Sequence, residues 1–396
     1  MDQTTPFGPT RAVPVALATE RFGSSGVGLV EFPQATSGLQ GSLEASRIAK
    51  IATHRYAAGT PVRAEGNPMP FFSVILATRN RPALFRRALE SVLAQSCQDF
   101  EIIVVNDGSA NEHQPEYESI IDAADSLRVR SFALIPRPQG HGASFARNFG
   151  AAKANGTYLC SLDDDDMWTD PNHLGRAQAV IAGSNAPVDI YLTNQMAFLH
   201  DTQLPGPIWI EDLPPILAKL GNQPDRHGTH TVTVEDLVRS RGFCHLNTLI
   251  VRRALYEEIG GLDERIGWEE DRDLYLRLID RAAVIKYAPI VVARHNAADP
   301  TKAVNLTTMH VEFERLLSQL RLLDRAIYFS RHAAIRAYGR RYKAYTLKRI
   351  AESLAAAGRQ TEAAFYAREA FGAGPTAKWA AFTVWQILKQ TLARPR

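Results

Sequence analysis

The chain has 396 residues, 45% hydrophobic and 22% charged. Those values predict two or three folded units with a real apolar core, and they exclude a disordered chain, a collagen and a disulfide-stapled miniprotein. The net charge of +3 is unevenly spread, because residues 301–396 carry 17 Lys/Arg against 6 Asp/Glu, a net +11, leaving the preceding part at −8. Such a basic block suits nucleic acid, anionic lipid or an anionic substrate, although a solvated helical face has the same composition. No run approaches the ~18 apolar residues of a membrane-spanning helix. The Met1-Asp2-Gln3-Thr4 start lacks the basic and apolar segments of a secretory signal. Cys97, Cys160 and Cys244 are widely spaced with no CxxC pair, as expected of a reducing compartment. A cytoplasmic location is therefore expected.

Residues 1–68 are rich in Gly, Ser, Thr, Pro and Ala and read as an irregular or partly disordered extension, with one helical patch at Leu43–Tyr56. From residue 71 the pattern changes. Phe72 to Ala77 is a short apolar run of the kind buried in a parallel sheet. Asn80-Arg81-Pro82 opens a helix, with Pro82 in its first turn and Phe85, Ala88, Leu89, Val92 and Leu93 on one face. A strand from Phe100 to Val105 ends in Asn106-Asp107-Gly108-Ser109. A helix near 114–124, a strand near 128–135, a helix near 143–154 and a strand from Thr157 to Leu162 follow. The alternation predicts an α/β fold with a mostly parallel sheet flanked by helices, whose ligands bind beyond the carboxyl ends of the strands. A helix from Asp170-Pro171 reaches about 183. Residues 188–232 are mixed, with Pro205, Pro207, Pro214 and Pro215 limiting any long element. A strand near 248–252, a helix from Trp268 to Arg281 and a last strand from Val284 to Ala293 complete the α/β part. From about 305 the chain reads as helices, with Gly358 as a stop. The domain reading is an extension over 1–68, an α/β domain over 69–300 and a basic helical region over 301–396.

The chemistry-bearing residues fall at strand ends. Asp163-Asp164-Asp165-Asp166 follows an apolar strand, and like charges side by side call for a cation. A hard divalent ion, Mg²⁺ or Mn²⁺, with oxygen ligands is the natural partner. Helix capping by Asp166 or Asp170 is the plainer alternative, yet four consecutive aspartates exceed what a cap needs. Asp107 is either ordinary Asp-Gly turn chemistry or an acceptor for a base or ribose. Gly140 to Asn148 places glycines before a helix that carries Arg147, a planar fork for phosphate or a surface arginine. It is not a P-loop, since the GKS/T ending is absent. Glu269-Glu270-Asp271 opens a helix, where acidic residues favour the dipole and one of them can act as a general base. His295 follows the last strand as a metal ligand or a surface histidine. His227, His230 and His245 share no metal spacing and stay unassigned.

In order, the chain reads Ser73-Val-Ile-Leu-Ala-Thr-Arg-Asn-Arg-Pro82, Asp99 to Ser109, Ala146-Arg-Asn-Phe-Gly150, Leu162-Asp-Asp-Asp-Asp-Met-Trp168, Gly260-Gly-Leu-Asp-Glu264 and Glu270-Asp-Arg-Asp273. This order resembles the family 2 inverting glycosyltransferases with the GT-A fold, over about residues 70–300. The resemblance implies a sugar transferase acting from a nucleotide-diphosphate donor on an acceptor hydroxyl of a cell-surface glycan, glycolipid or lipid-linked glycan. By the same resemblance, Thr78, Arg79, Asn80 and Asp107 would hold the nucleobase and ribose, and Arg147 would face the base or phosphates. Asp163 to Asp165 would be the DxD element, with Asp163 and Asp164 on the donor and Asp165 on a Mg²⁺ or Mn²⁺ ion. Asp271 would be the catalytic base, and His295 a further metal ligand. Ala77 stands where the family usually has proline, Arg79 replaces a common tyrosine, and the fourth aspartate leaves the DxD register open. No QxxRW element follows residue 271, which implies transfer of single sugars rather than polymer extrusion. The basic C-terminal region, with Phe382, Trp385, Ile387 and Leu388 between Lys378 and Lys389, suggests peripheral contact with an anionic membrane, and an ordinary helix packed on a Trp core is the plainer alternative. The alternatives are a nucleotidyltransferase, a nucleic-acid-binding protein using the basic tail and a non-catalytic sugar-binding relative. The acidic α/β half speaks against nucleic acid, and intact Asp107, Asp165 and Asp271 speak against loss of catalysis.

Overall fold

The computed structural model describes residues 69–124, 127–297 and 312–392. The expected N-terminal extension and its helical patch at Leu43–Tyr56 lie outside these residues. β1 (Phe72–Thr78) leads into α1 (Pro82–Leu93), where Pro82 takes the first position, at which a missing N–H leaves no bond unmade. β2 (Phe100–Asn106), α2 (Gln114–Asp122), β3 (Val129–Ala133), α3 (Ala143–Lys153) and β4 (Tyr158–Ser161) continue the alternation. Next come β5 (Met167–Trp168), α4 (His173–Ala182), β6 (Ile190–Leu199), β7 (Thr202–Gln203), α5 (Leu213–Lys219), β8 (His230–Val232) and α6 (Val234–Leu237). β9 (Leu249–Arg252), α7 (Arg253–Glu258), α8 (Glu270–Ile279) and β10 (Ile285–Asn296) close the α/β part. Helices α9 (Glu312–Phe329), α10 (Ala333–Ala356), α11 (Gln360–Ala373) and α12 (Ala377–Leu392) follow.

The sheet order is β3-β2-β1-β4-β9-β6-β10-β5, with β7 on β6 and β8 on β10. β1 runs parallel to β2 and β4, β2 parallel to β3, and β10 parallel to β6. β9 lies antiparallel between β4 and β6, so β3, β2, β1, β4, β6 and β10 share one direction and the expectation of a mostly parallel sheet holds. Alternate residues of β1 face opposite layers. Phe72, Val74 and Leu76 pack with Phe85 and Leu89 of α1, while Ile75 packs with Ala146 and Ala151 of α3. Helices therefore cover both faces, and the carboxyl ends of β1, β2 and β4 open onto one edge. α3 lies close on the sheet, since a Cβ at Gly150 would come 2.7 Å from Ile75 Cγ2.

Three of the differences from expectation bear on the site. β6 is a ten-residue interior strand inside the segment read as mixed. β10 runs on to Asn296, paired with β6, so His295 lies within the strand rather than after it. α8 begins at Glu270 instead of Trp268, because Glu269 adopts a left-handed backbone with φ +59°. Gly358, at φ +75°, ends α10 as expected. No helix among the described residues is long and apolar enough to cross a membrane, and the described residues belong to one compact unit.

Candidate active site

The first wall of the cleft forms where β1 and β2 end. Thr78 Oγ1 donates to Asp164 Oδ2 at 2.7 Å and lies 2.8 Å from Tyr117 Oη, which in turn accepts the Arg81 backbone N–H at 3.0 Å. Asn80 takes a left-handed φ of +56°, held by its N–H to Ser109 Oγ and by its side-chain oxygen, which accepts from Ala110 N. Asp107 is 5% exposed. Its carboxylate accepts the backbone N–H groups of His141 and Gly142 at 2.8 and 3.0 Å and the His141 ring Nδ1 at 2.9 Å. The loop before α3 is thereby folded over the end of β2. Gly140, at φ +71°, abuts both Asp107 and Arg79, and a Cβ there would collide with them. Arg79 reaches the carbonyls of Arg137 and Pro138 at 3.2 and 2.8 Å, while its Nε is buried without a partner.

The four aspartates after β4 point in different directions. Asp163 accepts from Arg147 Nη2 at 2.6 Å, and Arg147 Nη1 reaches Glu270 Oε1 at 3.3 Å. Burial disfavours the Asp163 charge, yet Arg147 and His245 outweigh it and hold its carboxyl below the usual carboxylate range. Arg81 bridges the next two, Nη2 to Asp164 Oδ1 at 2.5 Å and Nη1 to Asp165 Oδ2 at 2.7 Å. Asp166 is fully enclosed. It accepts from His295 Nδ1 at 2.7 Å, Asn247 Nδ2 at 2.5 Å and Asn296 N at 2.7 Å. Burial raises the carboxyls of Asp164, Asp165 and Asp166, with Arg81 opposing for the first two and His295 for the third. One carboxylate oxygen from each of Asp163, Asp165 and Asp166 lies within 4.8 Å of the others. Oxygen donors at that spacing fit a hard divalent cation. Arg81, Arg147 and His295 supply three positive charges against Asp163 to Asp166 and Glu270, so the fully ionised cluster is left two charges negative.

The opposite wall comes from α8 and from the turn before β9. Asp271 sits in the first turn of α8, and burial, with Glu270 beside it, pushes its carboxyl up to about 8. Its Oδ2 is 3.6 Å from His245 Nε2, which is 3.8 Å from Asp163 Oδ2. His245 Nδ1 accepts from Asn247 N at 3.3 Å, which leaves the proton of the neutral ring on Nε2, facing both carboxylates. Burial lowers His245 to about 4, so the ring is neutral at pH 7. His295 behaves oppositely: burial works against its charge, but Asp166 lifts it to about 9. Trp209 stands edge-on to both imidazoles, at 5.8 and 5.1 Å between ring centroids.

The fold thus brings Thr78, Arg147, Asp163, Asp164, Asp165, Asp271 and His295 to one cleft, with Asn80, Arg79 and Asp107 shaping its rim. Arg147 lies in the second turn of α3, a helix that starts after Gly142 at φ +102°. Sequence reasoning passed over Arg81, His245 and Asn247. Arg81 stands inside the quoted β1 motif next to Asn80, and its charge was a readable signal. His245 and Asn247 lie in no local motif and reach the cleft only because β9 inserts between β4 and β6.

Residues 73–234 match the family model "Glycosyl transferase family 2", a match that ends before His245, Asp271 and His295. A "PGL/p-HBAD biosynthesis glycosyltransferase" of Mycobacterium bovis is 27% identical over 230 residues, covering 57% of this chain and 77% of that protein. "Succinoglycan biosynthesis protein ExoW" of Rhizobium meliloti is 28% identical over 196 residues, covering 47% of this chain and 56% of that one. Among solved structures, S. aureus TarS in complex with UDP-GlcNAc superposes with a TM-score of 0.53 at 18% identity, covering 70% of this chain and 72% of that chain. The family match, the relatives and the shared fold agree with the strand-end cleft: residues 73–234 are similar to glycosyl transferase family 2 domains, the fold is of GT-A type and the chain is a glycosyltransferase.

Proposed function

We propose that this chain moves a sugar from a nucleotide-diphosphate donor to an acceptor hydroxyl with inversion at the anomeric carbon. One observation carries the reading: the half-buried Asp271 carboxyl, raised to about 8, faces the acidic strand end across His245. A carboxylate with that proton affinity is suited to take a proton from an attacking hydroxyl near neutral pH. Thr78, Arg79, Asn80 and Asp107 line the side where the base and ribose would lie. Arg147 and Asp163 stand between that side and Asp271. A Mg²⁺ or Mn²⁺ ion, when bound, supplies the charge that stabilises a departing nucleotide diphosphate. The two-charge excess of the cluster supports such an ion, and Asp163 and Asp165 offer the more accessible carboxylates, at 18% and 26% exposure against 1% and 0% for Asp164 and Asp166. That contrast favours Asp163-x-Asp165 as the DxD register, with His295 anchoring the neighbouring Asp166. The protein's own residues do the remaining work. Arg147 orients anionic oxygen through its fork, Trp209 and His245 close the acceptor side, and Asp271 holds the proton taken from the acceptor. The PGL/p-HBAD biosynthesis and succinoglycan biosynthesis named for the relatives, and the UDP-GlcNAc bound by TarS, support this substrate class.

A cytoplasmic protein that meets its acceptor at an anionic membrane is the fuller form of this proposal. α12 presents Val384, Trp385, Leu388 and Leu392 outward on one face and carries Lys378 and Lys389 with no acidic residue. Aromatic and apolar side chains with lysines at their border suit a lipid interface.

The central test is turnover and binding of a nucleotide-sugar panel in Mn²⁺, Mg²⁺ or EDTA, on the wild type, Asp165→Ala and Asp271→Asn. The expected result is cation-dependent turnover of one donor, with weakened donor binding in Asp165→Ala. In Asp271→Asn, donor binding should be intact and turnover lost. Binding of no nucleotide sugar under any of these conditions would refute the proposal.

A further inference from the structure

Beside Asp271, inside the quoted Glu270-Asp-Arg-Asp273 motif, lies a charge to which the resemblance gave no role. Arg272 is 8% exposed. Its Nε donates to Tyr338 Oη at 2.9 Å, its Nη2 donates to the same hydroxyl, and its Nη1 reaches Glu269 Oε2 at 3.1 Å. Three rings surround the guanidinium, with its carbon 4.9 Å from the Tyr342 centroid, 5.4 Å from that of Tyr338 and 5.8 Å from that of Phe243. Glu269, in its left-handed conformation, also accepts from Gln319 Nε2 at 2.7 Å. Tyr342 Oη donates to the Arg241 carbonyl at 3.2 Å. One buried cation therefore ties together the start of α8, the loop that carries Phe243 and His245, and helices α9 and α10.

Packing alone does not call for a charge here, since an apolar chain of the same length fills a cage without the desolvation cost of an ion. A guanidinium adds direction, because its planar fork fixes the angle of the backbone that bears it relative to Glu269 and Tyr338. We infer that Arg272 is a positioning residue, held by Tyr338, Tyr342, Phe243 and Glu269 so that the first turn of α8 presents Asp271 to the cleft. The basic C-terminal helices are then part of the transferase machinery. The inference rests on the proposed role of Asp271 as the base, and the test separates the two.

The measurement is kcat and donor KM for hydrolysis of UDP-N-acetylglucosamine, or of the panel sugar that the wild type turns over. The variants are Tyr338→Phe, Glu269→Gly, Arg272→Lys, Arg272→Met and Asp271→Asn. Tyr338→Phe removes one oxygen and keeps the ring. Glu269→Gly suits the left-handed backbone better than glutamate does, so a purely conformational role for Glu269 predicts full activity. The inference expects Tyr338→Phe and Glu269→Gly each to lower kcat at least fivefold, with donor KM within twofold of wild type at a temperature where every variant is fully folded; Tyr338→Phe keeps the wild-type melting temperature, while Glu269→Gly, which leaves Arg272 without its carboxylate, melts lower. It also expects Arg272→Lys to recover part of the activity that Arg272→Met loses. Wild-type kcat in both Tyr338→Phe and Glu269→Gly would overturn it, as would losses that appear equally in KM, or a Tyr338→Phe loss that appears only together with lowered melting. If Asp271→Asn keeps its turnover, the base assignment itself falls. If only Asp271→Asn is inactive, the base stands and the cage is structural.

Discussion

Asp271 carries two opposite pH dependences. Its carboxyl sits near 8 in the folded chain against 3.8 as a free side chain. The folded state therefore holds the proton more tightly than the unfolded one, so this group contributes stability that is complete below about pH 4 and lost as pH rises through about 8. In the proposed role as base Asp271 must be ionised, so kcat/KM of the free enzyme should rise with pH to a midpoint near 8. Asp271→Asn should cost about 10²- to 10⁴-fold in turnover, and its melting temperature should overtake that of the wild type as pH goes from 5 to 9. A pH-rate profile flat between 6 and 9 would contradict this. Arg81 makes a different point. Asp164 is buried, and its compensation comes from Arg81 and the Thr78 hydroxyl. Removing one partner of a buried pair costs about 3–5 kcal/mol, and because the Arg81 side chain is 30% exposed, Arg81→Ala should cost about 2–3 kcal/mol. Urea denaturation midpoints with unchanged slopes would measure it.

At the scale of elements, local pattern and tertiary position disagree in instructive places. Ile190–Leu199 is buried on both faces over its first six residues because it lies inside the sheet between β9 and β10, yet its polar Thr193-Asn194-Gln195 centre and the prolines from 205 onward hide the strand in the sequence. The start of α8 moved by two residues because Glu269 leaves helical space, held by Arg272 and Gln319, and no propensity scale contains that contact. By contrast, α3 was readable end to end from its glycines and alanines. Its seating depends on Gly150, where any side chain meets Ile75 on β1. Gly150→Ala should push α3 outward, carrying Arg147 away from Asp163. A stability loss of about 1–3 kcal/mol is expected, with donor affinity lowered and little change in the affinity for free Mn²⁺. Calorimetry on the variant checks both.

At the scale of the molecule, the C-terminal helices have two faces, an inner one against α8 and an outer one toward solvent. Truncation after residue 311 would leave Arg272 without Tyr338 and Tyr342, so the shortened chain should lose folding cooperativity as well as activity, seen as a broadened melting curve. The double variant Trp385→Ser/Leu388→Ser touches only the outer face. It should float with anionic liposomes less than the full chain does, while keeping its melting temperature; equal flotation of both would place the membrane contact elsewhere. The fold class, the order of the strands that carry the donor side and the acidic run at a strand end were legible in the sequence by itself, because strand periodicity, turn residues and charge runs are local. What joins Asp271 to His245, Asp166 to His295 and Asn247, and Arg272 to Tyr338 is the insertion of β9 between β4 and β6 and the return of α10 onto α8. Those pairings join residues 26 to 129 positions apart in the chain. Such distances are closed by burial of two apolar layers rather than by any neighbouring residue, and so only the tertiary structure decided them.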